Sequence, residues 1–127
     1  MTCLIDTHTF LWFVLADPRL SHKARELVGT SEVVYVCPAS YWEIGIKISL
    51  GKYHLPEPFA AFMERELKQN DFTILPITIA HASKVSELPF HHRDPFDRMI
   101  VAQALVENIP LVSCDNTLDA YGVTRIW

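Results

Sequence analysis

Cysteine is scarce in this sequence of 127 residues: there are only three, Cys3, Cys37 and Cys114, and no two of them form a CxxC pair. An odd and widely spaced set excludes a disulfide framework and a cysteine-based zinc site. Each cysteine lies in an apolar stretch of the chain, so we expect three buried thiols. Free thiols are typical of a reducing compartment, and we therefore expect a cytoplasmic protein.

Positive charge is also scarce, since 11 lysines and arginines stand against 15 aspartates and glutamates and the formal net charge is −4. This balance weighs against a protein that binds nucleic acid through a broadly basic surface. It does not exclude an enzyme acting on nucleic acid, because a cluster of carboxylates that captures divalent cations is itself a source of negative charge. The motifs must therefore decide between these classes.

Long hydrophobic runs and an N-terminal targeting segment are lacking. The apolar run over residues 10–16 is too short to span a membrane, which takes about 20 residues. The first residues contain no basic segment followed by a small-residue cleavage site. Half of the residues are hydrophobic and only 20% are charged, so a chain of this length can bury a core of its own. We expect a single domain over residues 1–127, without membrane contact.

Short apolar runs alternate with helical patterns along the chain. The predicted strands are Thr2–Ile5, Val33–Cys37, Phe72–Leu75, Leu111–Ser113 and Val123–Ile126. The predicted helices are Thr7–Leu15, Ser21–Val28, Ala39–Leu50, a segment over 59–67, Thr78–Leu88 and Pro95–Val106, with a helical turn over 116–120. This alternation predicts an α/β fold whose parallel sheet is covered on both faces. Ligands of such sheets bind beyond the carboxyl ends of the strands.

Two aspartates follow predicted strands, at the ends where ligands are expected. Asp6 comes directly after the first strand, and Asp115 closely follows the fourth. Each has a purely structural alternative. Asp6 is placed to cap the helix that starts at Thr7, and Asp115 is placed to form a turn or a helix cap. Taken singly, neither residue distinguishes between the two interpretations.

Two further acids lie early in predicted helices. Glu43 has two structural alternatives, a capping box with Ser40 and an ion pair with Lys47 one turn later. Asp97 lies in the first turn of its helix, where negative charge is favourable, but its spacing to the apolar side of that helix points it inward. Asp94, which precedes a proline, is best explained as the N-cap of the same helix.

Apart from Asp94, these acids all fall at the same edge of the predicted sheet. They are Asp6, Glu43, Asp97 and Asp115. Four carboxylates converging there cannot all stay ionised without a counter-charge. Mg²⁺ or Mn²⁺ fits, because both prefer oxygen ligands and keep several waters, and one or two such ions assist phosphodiester hydrolysis. Ser40 and Ser113, and more weakly Thr7, are candidates for orienting the carboxylates or the water around the metal.

Four segments, in this order, resemble the signature blocks of PIN-domain nucleases: residues 4–8 (LIDTH), 40–44 (SYWEI), 94–104 (DPFDRMIVAQA) and 111–115 (LVSCD). The similarity spans almost the whole chain and is greatest to the VapC-type toxins of bacterial toxin–antitoxin pairs. It implies a three-layer α/β/α sandwich with a central, mostly parallel sheet. It also implies an endoribonuclease that depends on Mg²⁺ or Mn²⁺.

The resemblance also assigns roles to residues and partners. By motif position, the acids that bind the metal and carry catalysis are Asp6, Glu43, Asp97 and Asp115. Asp94 competes with Asp97 for the third position; we favour Asp97, which precedes the small residues of the helix, and keep Asp94 as a supporting group. Toxins of this type are inhibited by a small VapB-like antitoxin whose C-terminal segment wraps around them, and they commonly form homodimers.

Basic side chains near the acidic helix start are candidates for contacts with RNA phosphates. Arg93 and Arg98, with His91 and His92, surround that helix start, although a solvated polar turn is the alternative interpretation. Lys47 is a further candidate that an exposed helix face also explains. The two histidines are a poor zinc signature, because no cysteine or third histidine lies at metal spacing.

Three functions stay open from the sequence. The first is the toxin endoribonuclease, which a chain without appended domains favours. The second is a PIN-fold nuclease that acts in RNA maturation or on DNA. The third is a regulatory binding module without catalysis, against which the intact acids argue. The apolar segments over 10–15 and 59–67 are either core or contacts for an antitoxin or a second copy.

Overall fold

Helices and strands alternate along the chain in the computed structural model, which describes all residues from Met1 to Trp127. The strands are β1 (Thr2–Ile5), β2 (Val33–Val36), β3 (Phe72–Ile74), β4 (Leu111–Val112) and β5 (Arg125–Ile126). The helices are α1 (Thr7–Val14), α2 (His22–Thr30), α3 (Pro38–Ser49), α4 (Phe59–Gln69), α5 (Ile79–Glu87) and α6 (Pro95–Glu107), with a 3-10 helix over Asn116–Tyr121. Every predicted element is present, with small shifts at the ends. None of the helices has both the length and the apolar character that crossing a bilayer requires.

All five strands pair in parallel, in the order β3-β2-β1-β4-β5. β1 is the central strand, and at its carboxyl end Ile5 pairs with Val36 of β2 and with Val112 of β4. The chain builds one half of the sheet through β2 and β3 and the other half through β4 and β5. The strand order therefore reverses beside β1, and a crevice forms between the loops that follow β1 and β4.

The sheet carries a hydrophobic core on each face, because alternate residues of a strand point to opposite sides. On one face Ile5 belongs to a cluster with Phe10 of α1 and Phe62 of α4. On the other face Leu4 belongs to a cluster with Ile100 of α6. Burying one side chain of this size contributes about 1.5–3 kcal/mol. Helices cover both faces, so the three-layer α/β/α sandwich is confirmed and the strand ends stay open to ligands.

The start of α3 differs from the prediction. The helix begins at Pro38, because proline suits the first helical position, and the Cys37 thiol accepts the N–H of Ala39 at 3.4 Å as its cap. Ser40 is therefore inside the helix and is not its N-cap. The capping box of Ser40 and Glu43, one of the structural alternatives for Glu43, is not formed.

Two of the three cysteines are buried, as predicted, and the third is not. Cys3 and Cys37 are fully buried in the two cores, whereas Cys114 is exposed. β4 ends at Val112, and the chain leaves the sheet before it reaches Cys114. The expectation of three buried thiols was wrong at this position because the apolar pattern continues past the end of the strand.

Candidate active site

Strand pairing brings Asp6 and Asp115 to the same crevice. Asp6 leaves β1, Asp115 follows β4, and the Asp6 N–H donates to the Val112 carbonyl at 3.3 Å. Asp6 is buried, and its Oδ1 accepts the Thr9 N–H at 2.9 Å, which caps α1. The prediction that Asp6 caps α1 is thus confirmed. The same carboxylate also lies at the point of the sheet where the order of the strands reverses.

Ser113 contacts both of these acids from the end of β4. Burial raises the pKa of Asp6, and a hydrogen bond from the Ser113 side chain opposes that rise. The Ser113 hydroxyl also accepts the Asp115 N–H at 3.1 Å. Ser113 has no exposed surface. It therefore lies between the two acids as a residue that orients them would, although this role stays a prediction.

Asp94 and Asp97 take different positions at the start of α6. Asp94 is the N-cap, because its Oδ1 accepts the N–H groups of Phe96 at 2.8 Å and of Asp97 at 3.3 Å. The Asp97 carboxylate accepts no hydrogen bond from the backbone, and the nearest basic atom is His92 Nε2, at 3.4 Å from Asp97 Oδ2. Asp97 therefore stays our prediction for the third acidic position, because one Asp94 oxygen is committed to the helix end.

The pKa of Asp97 responds to the other acids of the site. Burial raises the pKa of Asp97 to about 7, and the charges of Asp94, Asp6 and Glu43 add to the rise, while His92 opposes it. Three other carboxylates thus act on this one group. A carboxyl group in this environment is only partly ionised at neutral pH unless a cation is supplied.

Glu43 is held from two sides inside α3. Its Oε1 accepts the Thr7 hydroxyl at 2.8 Å, and its Oε2 pairs with the Lys47 ammonium at 2.9 Å. The predicted ion pair with Lys47 is therefore confirmed. Ser40 lies one contact further away, 3.0 Å from the Thr7 hydroxyl. Thr7, the weaker candidate for a supporting residue, is thus the direct partner of Glu43, and Ser40 supports Thr7.

Among the four acids, Asp115 has the largest number of hydrogen-bond partners. Its Oδ1 accepts the N–H and the hydroxyl of Thr117 at 3.0 and 2.6 Å, and its Oδ2 lies 3.2 Å from His92 Nε2. Burial acts to raise the pKa of Asp115, but the bonds from Thr117 and His92 outweigh it and the pKa is lowered. Asp115 therefore favours the ionised form, whereas Asp97 is only partly ionised at neutral pH.

The contacts of His92 with two of the acids were not predicted from the sequence. The sequence placed it in a polar turn before α6, with a phosphate contact as the other interpretation. In the structure, three residues each offer one atom that could bind a metal, and these atoms all lie within 4.8 Å of one another. The residues are His92, Asp97 and Asp115. His92 and Asp115 are 23 positions apart in the chain. No local pattern signals such a contact, and the short distance to Asp94 in the sequence was the only hint.

The three candidates for RNA contacts differ in exposure. Arg98 is buried, and its guanidinium donates to backbone carbonyls of the preceding turn, so the prediction that it contacts RNA was wrong. Arg93 is exposed and forms no ion pair, so it stays a candidate. Lys47 pairs with Glu43, yet 41% of its side chain is exposed, which leaves the ammonium accessible from solvent.

The donor set fits a hard divalent cation. Mg²⁺ and Mn²⁺ take carboxylate oxygens, and Asp6 and Asp97 supply such oxygens within one crevice. The raised pKa of both groups indicates that the protein alone does not neutralise their charge. No cysteine takes part, because Cys3 and Cys37 lie in the cores and no group of potential ligands includes Cys114. The residues present therefore suit magnesium or manganese better than structural zinc.

Fold and site together define a class: a doubly wound α/β protein whose parallel sheet gathers carboxylates at its carboxyl edge. The sequence matches the PIN domain family over residues 3–123, nearly the whole chain. The chain therefore belongs to the PIN domain family. A comparison with curated proteins found no match.

Solved structures share this fold at low sequence identity. VapBC2 from Rickettsia felis, bound to a DNA fragment from its promoter, is 13% identical with a TM-score of 0.72, covering 99% of this chain and 98% of that one. FitAcB from Neisseria gonorrhoeae is 18% identical with a TM-score of 0.71, covering 98% and 96%. A toxin–antitoxin complex from Klebsiella pneumoniae is 13% identical with a TM-score of 0.66, covering 98% and 96%. At such identities the likeness shows the fold.

Proposed function

We propose that this chain is a metal-dependent endoribonuclease and the toxin of a VapBC-type toxin–antitoxin pair, acting in the cytoplasm. The observation that carries the proposal is the gathering of carboxylates at the edge of a PIN-family sheet, where burial and neighbouring acids raise the pKa of Asp97 to about 7. Such a group calls for a cation. The similarity of fold to proteins solved in VapBC and toxin–antitoxin complexes supports the assignment of a partner.

The residues of the site would divide the work as follows. Asp6 and Asp97 would hold Mg²⁺ or Mn²⁺, with Glu43 and Asp115 completing the acidic set. When bound, such an ion acts as a Lewis acid on the phosphodiester. Ser113, whose side chain lowers the pKa of Asp6, would orient the Asp6 carboxylate. Thr7, with Ser40 behind it, would do the same for Glu43.

Two basic side chains are proposed to contact the RNA backbone. Lys47 lines a surface groove together with Thr7 and His8, directly beside Glu43. Arg93 lies on the exposed turn before α6. Phosphate contacts from such side chains position a nucleic acid without reading its sequence. We propose that these two residues compensate locally for the net charge of −4, which otherwise repels RNA.

The affinity for Mg²⁺ is expected to rise about tenfold between pH 6 and pH 8, because the ion displaces the proton that Asp97 keeps below its raised pKa. Calorimetric titrations in two buffers of different ionisation enthalpy measure both the affinity and the proton released. Asp94→Asn is the control: it keeps the helix cap but removes the nearest like charge, so the rise should move to lower pH. A pH-independent affinity without proton release would contradict this prediction.

Cleavage of RNA is the direct test of the proposed function. A labelled single-stranded RNA is incubated with the protein in Mg²⁺ or Mn²⁺, in excess EDTA, and beside a DNA of the same sequence. We expect cleavage of the RNA alone, and only with the metal. Asp6→Asn should be inactive with an unchanged circular dichroism spectrum. Cleavage of the DNA would favour the second function, and no cleavage of either nucleic acid would favour the binding module.

The proposed partners are an antitoxin, encoded by an adjacent small gene, and a second copy of the chain. Most of the apolar segment over 10–15 packs against the core, but Leu15, just after α1, is 45% exposed. We expect Leu15→Asp to weaken one of these assemblies, because it places a charge on an apolar contact. Size-exclusion chromatography of the protein, alone and with the small-gene product, measures both. Thr30→Asp, an exposed position on α2, is the control, and identical elution of both variants would count against this surface.

A further inference from the structure

The ring of His92 is held in one orientation by the backbone around it. Its Nδ1 accepts the Asp94 N–H at 3.1 Å, and its own backbone N–H donates to the Tyr121 hydroxyl at 2.9 Å. A ring nitrogen that accepts an N–H bond carries no proton, so the proton of the neutral imidazole lies on Nε2. The turn before α6 therefore selects the tautomer in which Nε2 is a donor.

That donor points between two of the acids. His92 Nε2 lies 3.2 Å from Asp115 Oδ2 and 3.4 Å from Asp97 Oδ2. These are the distances of a hydrogen bond to Asp115 and of a weaker, shared contact with Asp97. A cation that bridged the same two carboxylate oxygens would have to take the place of the Nε2 proton.

A role for His92 as a metal ligand conflicts with this arrangement. A histidine that binds metal through Nε2 needs a lone pair there, and it donates its other N–H to an acceptor such as a carbonyl or a carboxylate. His92 faces the N–H of Asp94 instead. Asp115 is also engaged at its other oxygen, which accepts two hydrogen bonds from Thr117. Asp97 has no comparable donors.

We propose that His92 is a positioning residue that holds Asp115 through the Nε2 proton and keeps it out of direct contact with the metal, which Asp6 and Asp97 then bind. The inference rests on the proposed function, because it concerns the metal of the same site. Asp115 then serves to anchor the His92 ring. It follows that His92 withholds Asp115 from the ion, competes with the ion for Asp97, and so lowers the metal affinity of the protein.

The tautomer is tested by ¹⁵N NMR of the histidine rings in the full chain, with and without Mg²⁺. The His92 signals are assigned by their absence in His92→Gln. We expect a protonated Nε2 and an unprotonated Nδ1 in both states. Transfer of the proton to Nδ1 when Mg²⁺ is added would show that Nε2 faces the ion, and it would overturn the proposal.

The competition is tested by Mn²⁺ titration of variants at pH 8. We expect His92→Ala to bind Mn²⁺ on the order of tenfold more tightly, because the released Asp115 carboxylate can then bind the ion directly and the Nε2 contact with Asp97 is gone. His92→Gln places an N–H at a similar reach and should restore the original affinity to within about twofold. His91→Ala is the matched control, because His91 is exposed and packs edge-on against Tyr121.

The outcomes separate the inference from the function on which it rests. Weaker Mn²⁺ binding by His92→Ala would identify His92 as a ligand, and unchanged binding would show no competition; either result overturns the inference. If circular dichroism shows that His92→Ala is unfolded, the NMR experiment and the Mn²⁺ affinity of His92→Gln test the proposal in its place. Failure of the proposed function looks different: the unaltered protein would bind neither Mg²⁺ nor Mn²⁺, or would cut RNA equally well in EDTA.

Discussion

Replacing Asp97 with asparagine is expected to abolish RNA cleavage, by at least on the order of a thousandfold, and to stabilise the metal-free protein at pH 8. Cleavage is lost because the variant keeps the shape of the site without the charge that holds the cation. Stability is gained because the folded protein at pH 8 must keep Asp97 ionised, although burial and the charges of Asp94 and Asp6 raise its pKa to about 7.

The sign of the stability effect follows from the direction of the pKa shift. Between about pH 4 and pH 7 the folded state keeps a proton on Asp97 that the unfolded state has lost. The contribution of Asp97 to stability therefore falls as the pH rises through this window and is least favourable above pH 7. Asparagine removes that loss, so the variant should gain roughly 2–4 kcal/mol at pH 8 and progressively less toward pH 4.

Urea unfolding in the presence of EDTA, at several pH values, measures this gain. Asp94→Asn is the matched control for activity, because asparagine also caps helices and the variant should retain most of its cleavage. An inactive Asp94→Asn beside an active Asp97→Asn would show that the third acidic position is misassigned. A variant Asp97→Asn that is less stable than the original protein at pH 8 would contradict the electrostatic argument itself.

Arg98→Ala is expected to destabilise the fold by at least roughly 3 kcal/mol. The Arg98 guanidinium donates to the carbonyls of Val85 and Leu88 at the end of α5, each at 3.2 Å, and to that of Pro89 at 2.9 Å. It also lies beneath the Phe90 ring, 4.2 Å from its centroid. Removing the side chain takes the donor from the carbonyls of Leu88 and Pro89, while the Val85 carbonyl keeps the Leu88 N–H. It also frees the turn that carries His92.

Arg93→Ala is the control for stability, since Arg93 is exposed, forms no ion pair and lies five positions earlier in the same chain segment. Its unfolding free energy should stay within about 0.5 kcal/mol of the original. Arg98→Lys keeps the charge but lacks the planar guanidinium with its several N–H donors. It should therefore recover little of the unfolding free energy that Arg98→Ala loses. Equal unfolding midpoints in urea for Arg98→Ala and Arg93→Ala would show that the buried guanidinium is not the anchor of this turn.

The elements and most of the acids could be predicted because their signals are local. Asp6 and Asp115 follow apolar runs that form strands, and parallel strands place their carboxyl ends at one edge. Asp94 precedes a proline, which is a typical helix start and proved to be one. The resemblance to PIN-domain sequences added the order of the four blocks. The family match confirms that membership, while catalysis by the acids stays a prediction.

Sequence reasoning could not distinguish two residues of the same type, or two interpretations of one residue, that look alike in sequence. Arg93 and Arg98 both flank the acidic helix start, yet one is exposed and the other is buried under α5. Glu43 fits a capping box by spacing, but Pro38 moves the helix start and removes it. In both cases the neighbours in space decide, and sequence spacing does not report them.

The sequence by itself determined the order of strands and helices, the two-sided core and the edge of the sheet where acids collect, because periodicity, caps and strand ends act over a few residues. Only the tertiary structure decided what each acid touches. The Thr7 hydroxyl meets Glu43 across 36 positions, and His92 meets Asp115 across 23. Such contacts arise when separate strands and helices pack, and it is these contacts, with burial, that set the charge and the accessible oxygens of the site.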